Sequence, residues 1–391
     1  MTSCNLAFQL HASNSWQGGF NYQLSVISSL TEFYSDSVSI TVFASNDHPP
    51  GDLEAIQAFP QVFLIVDNIF SRKFTFFRSF ISLILGFDPW LRPYIYKYSL
   101  TTIFESAQFV GSNPLVERVL AWIPDLQHRT LPANFSFLAW LRRDLGFRLQ
   151  ATSNRFLIFS SSASRAQFST YYPAYSPSCA VVNFPPIITR TDLDASCSVD
   201  VLSVYSISRP YIFLPNQFWL HKNHLTVLSA LAYLPSAERP LIVATGSTID
   251  YRRSDYFSLV RHRVVSMGLC EDFLILGSVP RSHFLALMFS ASAFLNPSRS
   301  EGWNTSVEEA KLFGLPLLLS DISVHREQAN NDSSFFHPND HIALSVLLQA
   351  SFRDASGFGV NRFCHSEYID RRRDFAGKLF SLISGCSDHQ S

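Results

Sequence analysis

The sequence predicts a parallel α/β protein in two halves, and three observations predict it. Short, wholly apolar runs recur in the second half: "YIFLP" (211–215), "LIVAT" (241–245), "FLILG" (273–277), "AFLNP" (293–297) and "LPLLLS" (315–320). Such runs, separated by ten or more residues of helical spacing, belong to strands covered on both faces and joined by helical crossovers. The first half repeats the theme with "LAFQL" (6–10), "SITVFA" (39–44), "QVFLIV" (61–66), "RFLIFSS" (155–161) and "CAVVNFP" (179–185). Between the halves, "TRTDLDASCSVDVLSVYSISRP" holds no sustained period and is rich in Ser and Asp, which predicts a linker near 190–210. A chain of 391 residues is long enough for two domains with full cores.

The helices follow from spacing. In the first half a helix runs from Asn21 to about Phe33, and another starts near Ser164. In the second, "HKNHLTVLSALAYL" places Leu225, Leu228, Leu231 and Ala232 on one stripe; a polar helical stretch ends near Met267, and a further helix starts at about Arg281. Beyond Tyr368, "YIDRRRDFAGKLFSLI" reads as a terminal helix. The expected division is 1–200 for a first Rossmann-like domain, 205–367 for a second, and 368–391 for a helix packing back on the first. No short-period repeat is visible.

Composition excludes several classes. Hydrophobic residues make up 47% and charged residues 16%, so the chain folds rather than stays disordered. A net charge of −1 offers no field for nucleic acid, and Arg252–Arg253, Arg261–Arg263 and Arg371–Arg373 read as solvated helix faces. Cys4, Cys179, Cys197, Cys270, Cys364 and Cys386 lack any Cys-x-x-Cys spacing, which argues against zinc and against a disulfide framework and fits reduced thiols in a cytoplasm. The N-terminus reads as a strand rather than a signal peptide. "KFTFFRSFISLILGFDPWL" is interrupted by Arg78 and ends near Asp88, too short and charged to span a bilayer. We read it as buried in a core or interdomain position; the alternative is a membrane surface, where Phe and basic residues act together.

In open α/β sheets, ligands bind beyond the carboxyl ends of the strands. The loops after 214, 245, 277 and 297 are therefore the places to look. After "AFLNP" comes "PSRSEGWNTSVEEAKLFGLP", in which Glu301 and Glu309 flank a helix start. Thr305 to Glu308 fits a capping box, Gly314 suits the C′ position and Pro316 stops the helix. That leaves Glu301 and Glu309 without a structural duty. The helix N-terminus between them is an anion site, and a carboxylate accepts two hydroxyl hydrogen bonds, which suits a sugar diol. A nucleotide sugar has this layout of ribose, diphosphate and hexose. The plainer alternative is that Glu309 complements the helix dipole and Glu301 is a solvated loop residue.

The stretch resembles the Glu-x7-Glu signature of retaining GT-B glycosyltransferases, the group 1 family. "LGSVPRSHFLALMFSASAFLNPS" is similar to the family's preceding turn, helix and strand, and in "YIFLPNQFWLHKNH" Lys222 falls on its phosphate lysine. The motifs cover roughly 210–325. The resemblance implies an α/β GT-B fold, two Rossmann-like domains facing across a cleft. It implies that Glu309 holds the ribose and Glu301 the donor sugar. The backbone amides of Gly302, Trp303, Asn304 and Thr305 would meet sugar or diphosphate, and Lys222 would neutralise the leaving phosphates. Gln217 stands where the family commonly has an arginine. "SWQGGFNYQ" is similar to its Gly-Gly loop, so Gly18 and Gly19 would approach the ligand closely, and "WIPDLQHRTLPANFS" resembles the segment with the donor-facing polar residue, for which Asp125 and His128 are the candidates. The serines of "SSSASRAQF" would line the cleft, while His325 and Glu327 pack beneath the site.

The scaffold normally needs no metal, and Asp192-Leu193-Asp194 reads as solvated linker. No cofactor is implied beyond the nucleotide-sugar donor. The implied activity is sugar transfer to a hydroxyl of a glycan or lipid-linked acceptor with retention, in polysaccharide biosynthesis, by a cytoplasmic enzyme with a possible peripheral membrane contact. Two alternatives stand beside it: a non-catalytic nucleotide-sugar-binding protein, which would bind without releasing sugar, and a GT-B-fold epimerase, which would pass nothing to an acceptor.

Overall fold

Strands that are apolar on both faces need helices on both sides, and the chain supplies them twice. The computed structural model describes residues 4–85, 87–106, 116–152, 155–250, 252–354 and 362–385, in two units. The first unit holds Met1–Arg129, Phe137–Ile187 and Ile369–Ser391. Its strands are β1 (Cys4–Gln9), β2 (Val38–Ala44), β3 (Val62–Val66), β4 (Thr102–Ser106), β5 (Arg118–Ile123), β6 (Phe156–Phe159) and β7 (Cys179–Val181). They form one parallel sheet in the order β3-β2-β1-β4-β5-β6-β7. Its helices are α1 (Ser13–Phe33), α2 (Pro50–Gln57), α3 (Arg72–Leu85), α4 (Arg92–Lys97), α5 (Gln127–Thr130, its last residue in the second unit), α6 (Phe137–Thr152) and α7 (Ser162–Tyr171).

The core of this unit is aromatic. Tyr22 of α1 stacks on Trp122 of β5 with centroids 3.7 Å apart, and Trp16 stacks on the same indole at 5.5 Å. The Gly18–Gly19 pair does not form a loop ahead of the helix. It lies inside α1, which starts at Ser13 and kinks at Trp16. A Cβ on Gly19 would sit 2.3 Å from the Trp16 ring, so the glycine makes room for that indole. Strand β4 carries Glu105, bound through two short hydrogen bonds to Arg155 with both side chains buried. A carboxylate inside the run hid this strand from periodicity.

The second unit holds Thr130–Ser136 and Ile188–Tyr368. The sequence between the units is not an irregular linker: α8 (Arg190–Cys197) and α9 (Val201–Val204) occupy it. Thr189 caps α8 and Asp192, at its third position, completes a reciprocal capping box at the exposed helix start. Then follow β8 (Tyr211–Pro215), α10 (His224–Tyr233), β9 (Leu241–Thr245), α11 (Tyr256–Ser266), β10 (Phe273–Gly277), α12 (Arg281–Ser290), β11 (Ala293–Asn296), α13 (Thr305–Leu312), β12 (Leu317–Ser320), α14 (Ser323–Gln328), β13 (Ser333–Phe336) and α15 (His341–Asp354). The sheet is parallel, ordered β10-β9-β8-β11-β12-β13. The five apolar runs of the second half are five of these strands. The sixth, β13, opens on Ser333 and Ser334 and has no apolar run to betray it.

The last helix, α16 (His365–Ser384), belongs to the first unit from Ile369 onward, where Phe380 stacks on Tyr34 at 4.4 Å. Among the described residues no helix is long and apolar enough to cross a membrane. The apolar window 73–91 is not buried as expected. It forms α3 and the turn after it, and Phe74, Phe77, Phe80, Ile84 and Leu85 are exposed. None of the described cysteines is in a disulfide; Cys386 lies outside the described residues.

Candidate active site

Strand β11 ends in buried polar residues that shape the next turn. Asn296 accepts from Ser298 N at 3.1 Å, from Ser298 Oγ at 2.7 Å and from Asn216 Nδ2 at 3.1 Å. This side chain ties the ends of β8 and β11 together. Asn223 holds a left-handed backbone (φ 61°) and donates to Pro297 O at 3.0 Å and Pro338 O at 2.7 Å. Arg299 N donates to His221 O at 2.8 Å. The loop bearing Lys222 and the loop bearing Glu301 are thus sewn to each other by buried polar contacts, which are costly to leave unmade. Gly246, at the end of β9, has φ 137°, and a Cβ there would lie 2.5 Å from Asn216 O. Only glycine lets these strand ends come so close.

On this frame Lys222 Nζ donates to Glu301 Oε1 at 2.6 Å, with side chains 13% and 8% exposed. Asn304 Nδ2 adds a second bond to the same oxygen at 3.2 Å. Two residues 79 apart in sequence, Glu301 noted beside a helix start and Lys222 from the family resemblance, therefore meet. Helix α13 begins one residue earlier than the proposed capping box. Asn304, not Thr305, is the N-cap and accepts from Val307 N at 3.2 Å. Asn ranks with the best N-caps, above Thr. Glu308 consequently sits past N3 and binds Lys311 at 3.2 Å and Gln328 Nε2 at 2.8 Å. Gln328 Oε1 also takes the Asn304 amide at 3.3 Å, so that amide already has a partner. Gly302 is buried, and Trp303 and Thr305 are half-buried.

Glu309 is 5% exposed and ion-paired with Arg281, the first residue of α12. Burial raises its carboxyl above the ordinary range, and the Arg281 charge opposes that rise. The spacing argument found both glutamates but missed Arg281; its place directly after β10, in one of the flagged loops, was the available signal. Behind the loop, His325 is fully buried, and burial lowers it to about 4, which keeps the ring neutral. Its Nδ1 donates to Ser320 O at 2.9 Å. Nε2 has no hydrogen-bond partner among the described residues. His224 is stacked on Phe218 at 4.4 Å and lowered by burial to about 3. Gln217 lies half-buried in the loop after β8, its carbonyl 2.7 Å from Trp219 N. Within this unit Thr130 Oγ1 also lies 3.3 Å from Ser300 Oγ.

Asp125 and His128 are in the first unit. Asp125 Oδ1 accepts from Gln127 N at 2.9 Å and from Arg143 Nη2 at 2.8 Å. His128 is fully buried; its Nε2 donates to the Tyr172 hydroxyl at 2.9 Å, which donates to Asp144 at 2.6 Å. Burial lowers this histidine to about 4. Of the serines after β6, Ser161 caps α7 by accepting from Ser164 N at 3.0 Å.

Two strand-end loops joined by buried polar contacts thus bring Lys222 to Glu301 beside the N-terminus of α13, whose first turns carry Glu309. The model of the family described as "Glycosyl transferases group 1" matches residues 207–355. That span begins just before β8 and ends after α15, enclosing Lys222, Arg281, Glu301 and Glu309. Residues 207–355 are a group 1 glycosyltransferase domain. The chain is 28% identical over 131 residues to the O-antigen chain mannosyltransferase RfbU of Salmonella typhimurium, a match covering 33% of this chain and 35% of that one. The matched part is thus about a third of that relative's length.

Solved structures match over the whole chain. HepE from Anabaena, in complex with UDP, has a TM-score of 0.65 at 13% identity, covering 98% of each chain. A glycosyltransferase from Rickettsia africae has a TM-score of 0.68 at 12% identity, covering both chains fully. WaaG, a glycosyltransferase involved in lipopolysaccharide biosynthesis, has a TM-score of 0.62 at 15% identity, covering 98% of each. At such identities the likeness is one of fold. With the two parallel sheets, it makes the fold GT-B, and the group 1 glycosyltransferase domain is its second half.

Proposed function

We propose that this protein is a metal-independent hexosyltransferase. It would move a sugar from a nucleotide-sugar donor to a hydroxyl of a glycan or lipid-linked acceptor, with retention of configuration, in surface-polysaccharide assembly. The observation that carries the reading is the half-buried Lys222–Glu301 pair beside the N-terminus of α13, inside the group 1 glycosyltransferase domain. Relatives named as an O-antigen mannosyltransferase and a lipopolysaccharide glycosyltransferase support the biosynthetic setting.

The chemistry follows from charge exchange. Cleaving the bond between sugar and diphosphate leaves added negative charge on the phosphate, and fixed positive groups aimed there stabilise it. Lys222 is such a group. Without donor, Glu301 holds its charge in place. When a diphosphate arrives, the lysine turns to the phosphate, and Glu301 is released to accept hydrogen bonds from the sugar hydroxyls. Glu309 makes the same kind of exchange, from Arg281 to the ribose diol. Gln217 brings hydrogen bonds but no charge, so neutralising the leaving group rests on Lys222 and the helix end. The donor phosphate takes the acceptor proton as the leaving group departs.

A thermal-shift screen of the purified protein against nucleotide sugars tests this reading. Binding raises stability by RT ln(1 + [L]/Kd), about 2.7 kcal/mol at a hundred times Kd. One nucleoside diphosphate class should raise the midpoint by several degrees, and its free sugar should not. A flat response across all common donors would remove the proposal.

A further inference from the structure

Helix α3 is amphipathic in reverse. Arg78 and Ser82 are its buried polar residues, 3% and 1% exposed, whereas Phe74, Phe77, Phe80, Ile84 and Leu85 are 41% to 65% exposed. Arg78 explains the orientation: it pairs with fully buried Asp88 at 2.5 Å, donates to Gln9 Oε1 at 3.4 Å and lies over the Phe70 ring at 4.7 Å. The helix is anchored inward by charge and shows the rings of Phe74, Phe77 and Phe80 to solvent.

A second helix does the same. On α6, Phe137, Leu138, Leu141 and Leu145 are 43% to 75% exposed. Sheet register places both on one side of the first unit. Ala7 is level with Ile103, and Glu105 with Ala121, so Ala7, Ile103 and Ala121 point to the same face. Ala7 and Ile103 pack with Phe70, Leu91 and Ile95 around α4, while Ala121 packs with Phe147 of α6. Gln9, also on that face, binds Phe70 O and Thr75 Oγ1 at the start of α3. Helices α3, α4 and α6 therefore cover one face, with nine exposed Phe, Leu and Ile side chains and exposed Tyr96 among them.

The charges on these helices have one sign outward. The acids of residues 72–98 and 137–152 are Asp88 and Asp144. Both are buried and ion-paired, Asp88 with Arg78 and Asp144 with Arg129 and Arg148. Lys73, Arg92, Lys97 and Arg142 are exposed. A chain of net charge −1 thus turns one apolar, cationic face outward. Monomeric soluble domains rarely expose so much apolar surface together.

We propose that the α3–α4–α6 face of the first unit docks on an anionic lipid bilayer. Apolar rings enter the acyl boundary while the cations meet acidic headgroups, the arrangement of an interfacial amphipathic helix. A second copy of this chain fits the face poorly, because a two-fold interface sets each patch against itself and brings the same cations together. The proposal does not rest on the donor site.

The test is flotation of the full chain with phosphatidylcholine vesicles, with and without phosphatidylglycerol. Each cation near such a surface strengthens binding about fivefold, so anionic vesicles should bind the protein at least tenfold better, and raised salt should reverse this. Phe80→Ser with Ile84→Ser, and separately Leu138→Ser with Leu141→Ser, should each weaken partitioning about tenfold or more. Lys73→Glu with Arg142→Glu should do so only on anionic vesicles. All are surface changes, so thermal midpoints should hold. Val265→Ser with Val346→Ser, exposed positions in the second unit, should leave partitioning unchanged. Failure to bind anionic vesicles at low salt, or equal partitioning by all variants, would overturn the proposal. So would a dimer that the apolar substitutions dissolve without any vesicle binding.

Discussion

Glu309 is the residue whose environment says most about how a donor could be held. Its burial favours the neutral carboxyl and Arg281 favours the charged one, with burial the larger effect. The sign follows directly. A carboxyl raised on folding binds a proton in the native state that the unfolded chain has released, so this residue's contribution to stability falls as pH rises through the shifted value. If Glu309 holds the ribose diol as proposed, donor binding runs the other way, because a protonated carboxyl loses acceptor capacity. Donor affinity should therefore weaken on acidification at a higher pH than an ordinary carboxylate dictates. In Arg281→Gln that acid limb should move to still higher pH, since the opposing charge is gone. Calorimetric donor titrations across pH check this; an unchanged limb in Arg281→Gln would separate Glu309 from the ligand.

At the scale of elements, α13 illustrates how reading and structure differ by one residue. Thr305 and Glu308 have the spacing of a capping box, yet Asn304 takes the cap because its Oδ1 reaches Val307 N. Asn304 also donates to Glu301, so one side chain fixes both the helix start and the acidic residue beside it. Asn304→Ala should cost about 1 kcal/mol in denaturant unfolding, the usual loss for a cap, and should reduce activity beyond that loss because Glu301 loses a restraint. A stability drop with wild-type turnover would confine Asn304 to capping. The same contrast runs along the chain. Strands such as "LIVAT" were legible because parallel strands are uniformly apolar. Strand β4 was not, because Glu105 is paid for by Arg155, 50 residues away. The short helix α8 was hidden in Ser- and Asp-rich sequence because its stability comes from a cap rather than from an apolar stripe.

Over the whole molecule, each unit has one parallel sheet, and sequence order indicated the strand-end loops of the second unit that bear Lys222 and Glu301. Glu301 and Glu309 stood out because charge lay where no core or cap needed it, and Lys222 because its stretch resembles the family's lysine motif. The side chains that pair with them from a distance were harder to find: Arg281 and Gln328 act through tertiary contacts that no local spacing encodes. Nor did periodicity show which way α3 faces. An apolar helix looks the same buried or exposed until Arg78 is seen paired with Asp88 inside the unit. The measurement that bears most directly on the central claim is nucleotide release and sugar transfer, with the donor found by screening, for wild type, Glu301→Gln and the charge-free pair Lys222→Met/Glu301→Gln. Removing both partners avoids stranding a half-buried charge, so the fold should persist by thermal melt. The account predicts turnover reduced at least about a hundredfold in both variants, the scale of losing one preorganised contact. Wild-type-like turnover in the folded double variant would contradict it.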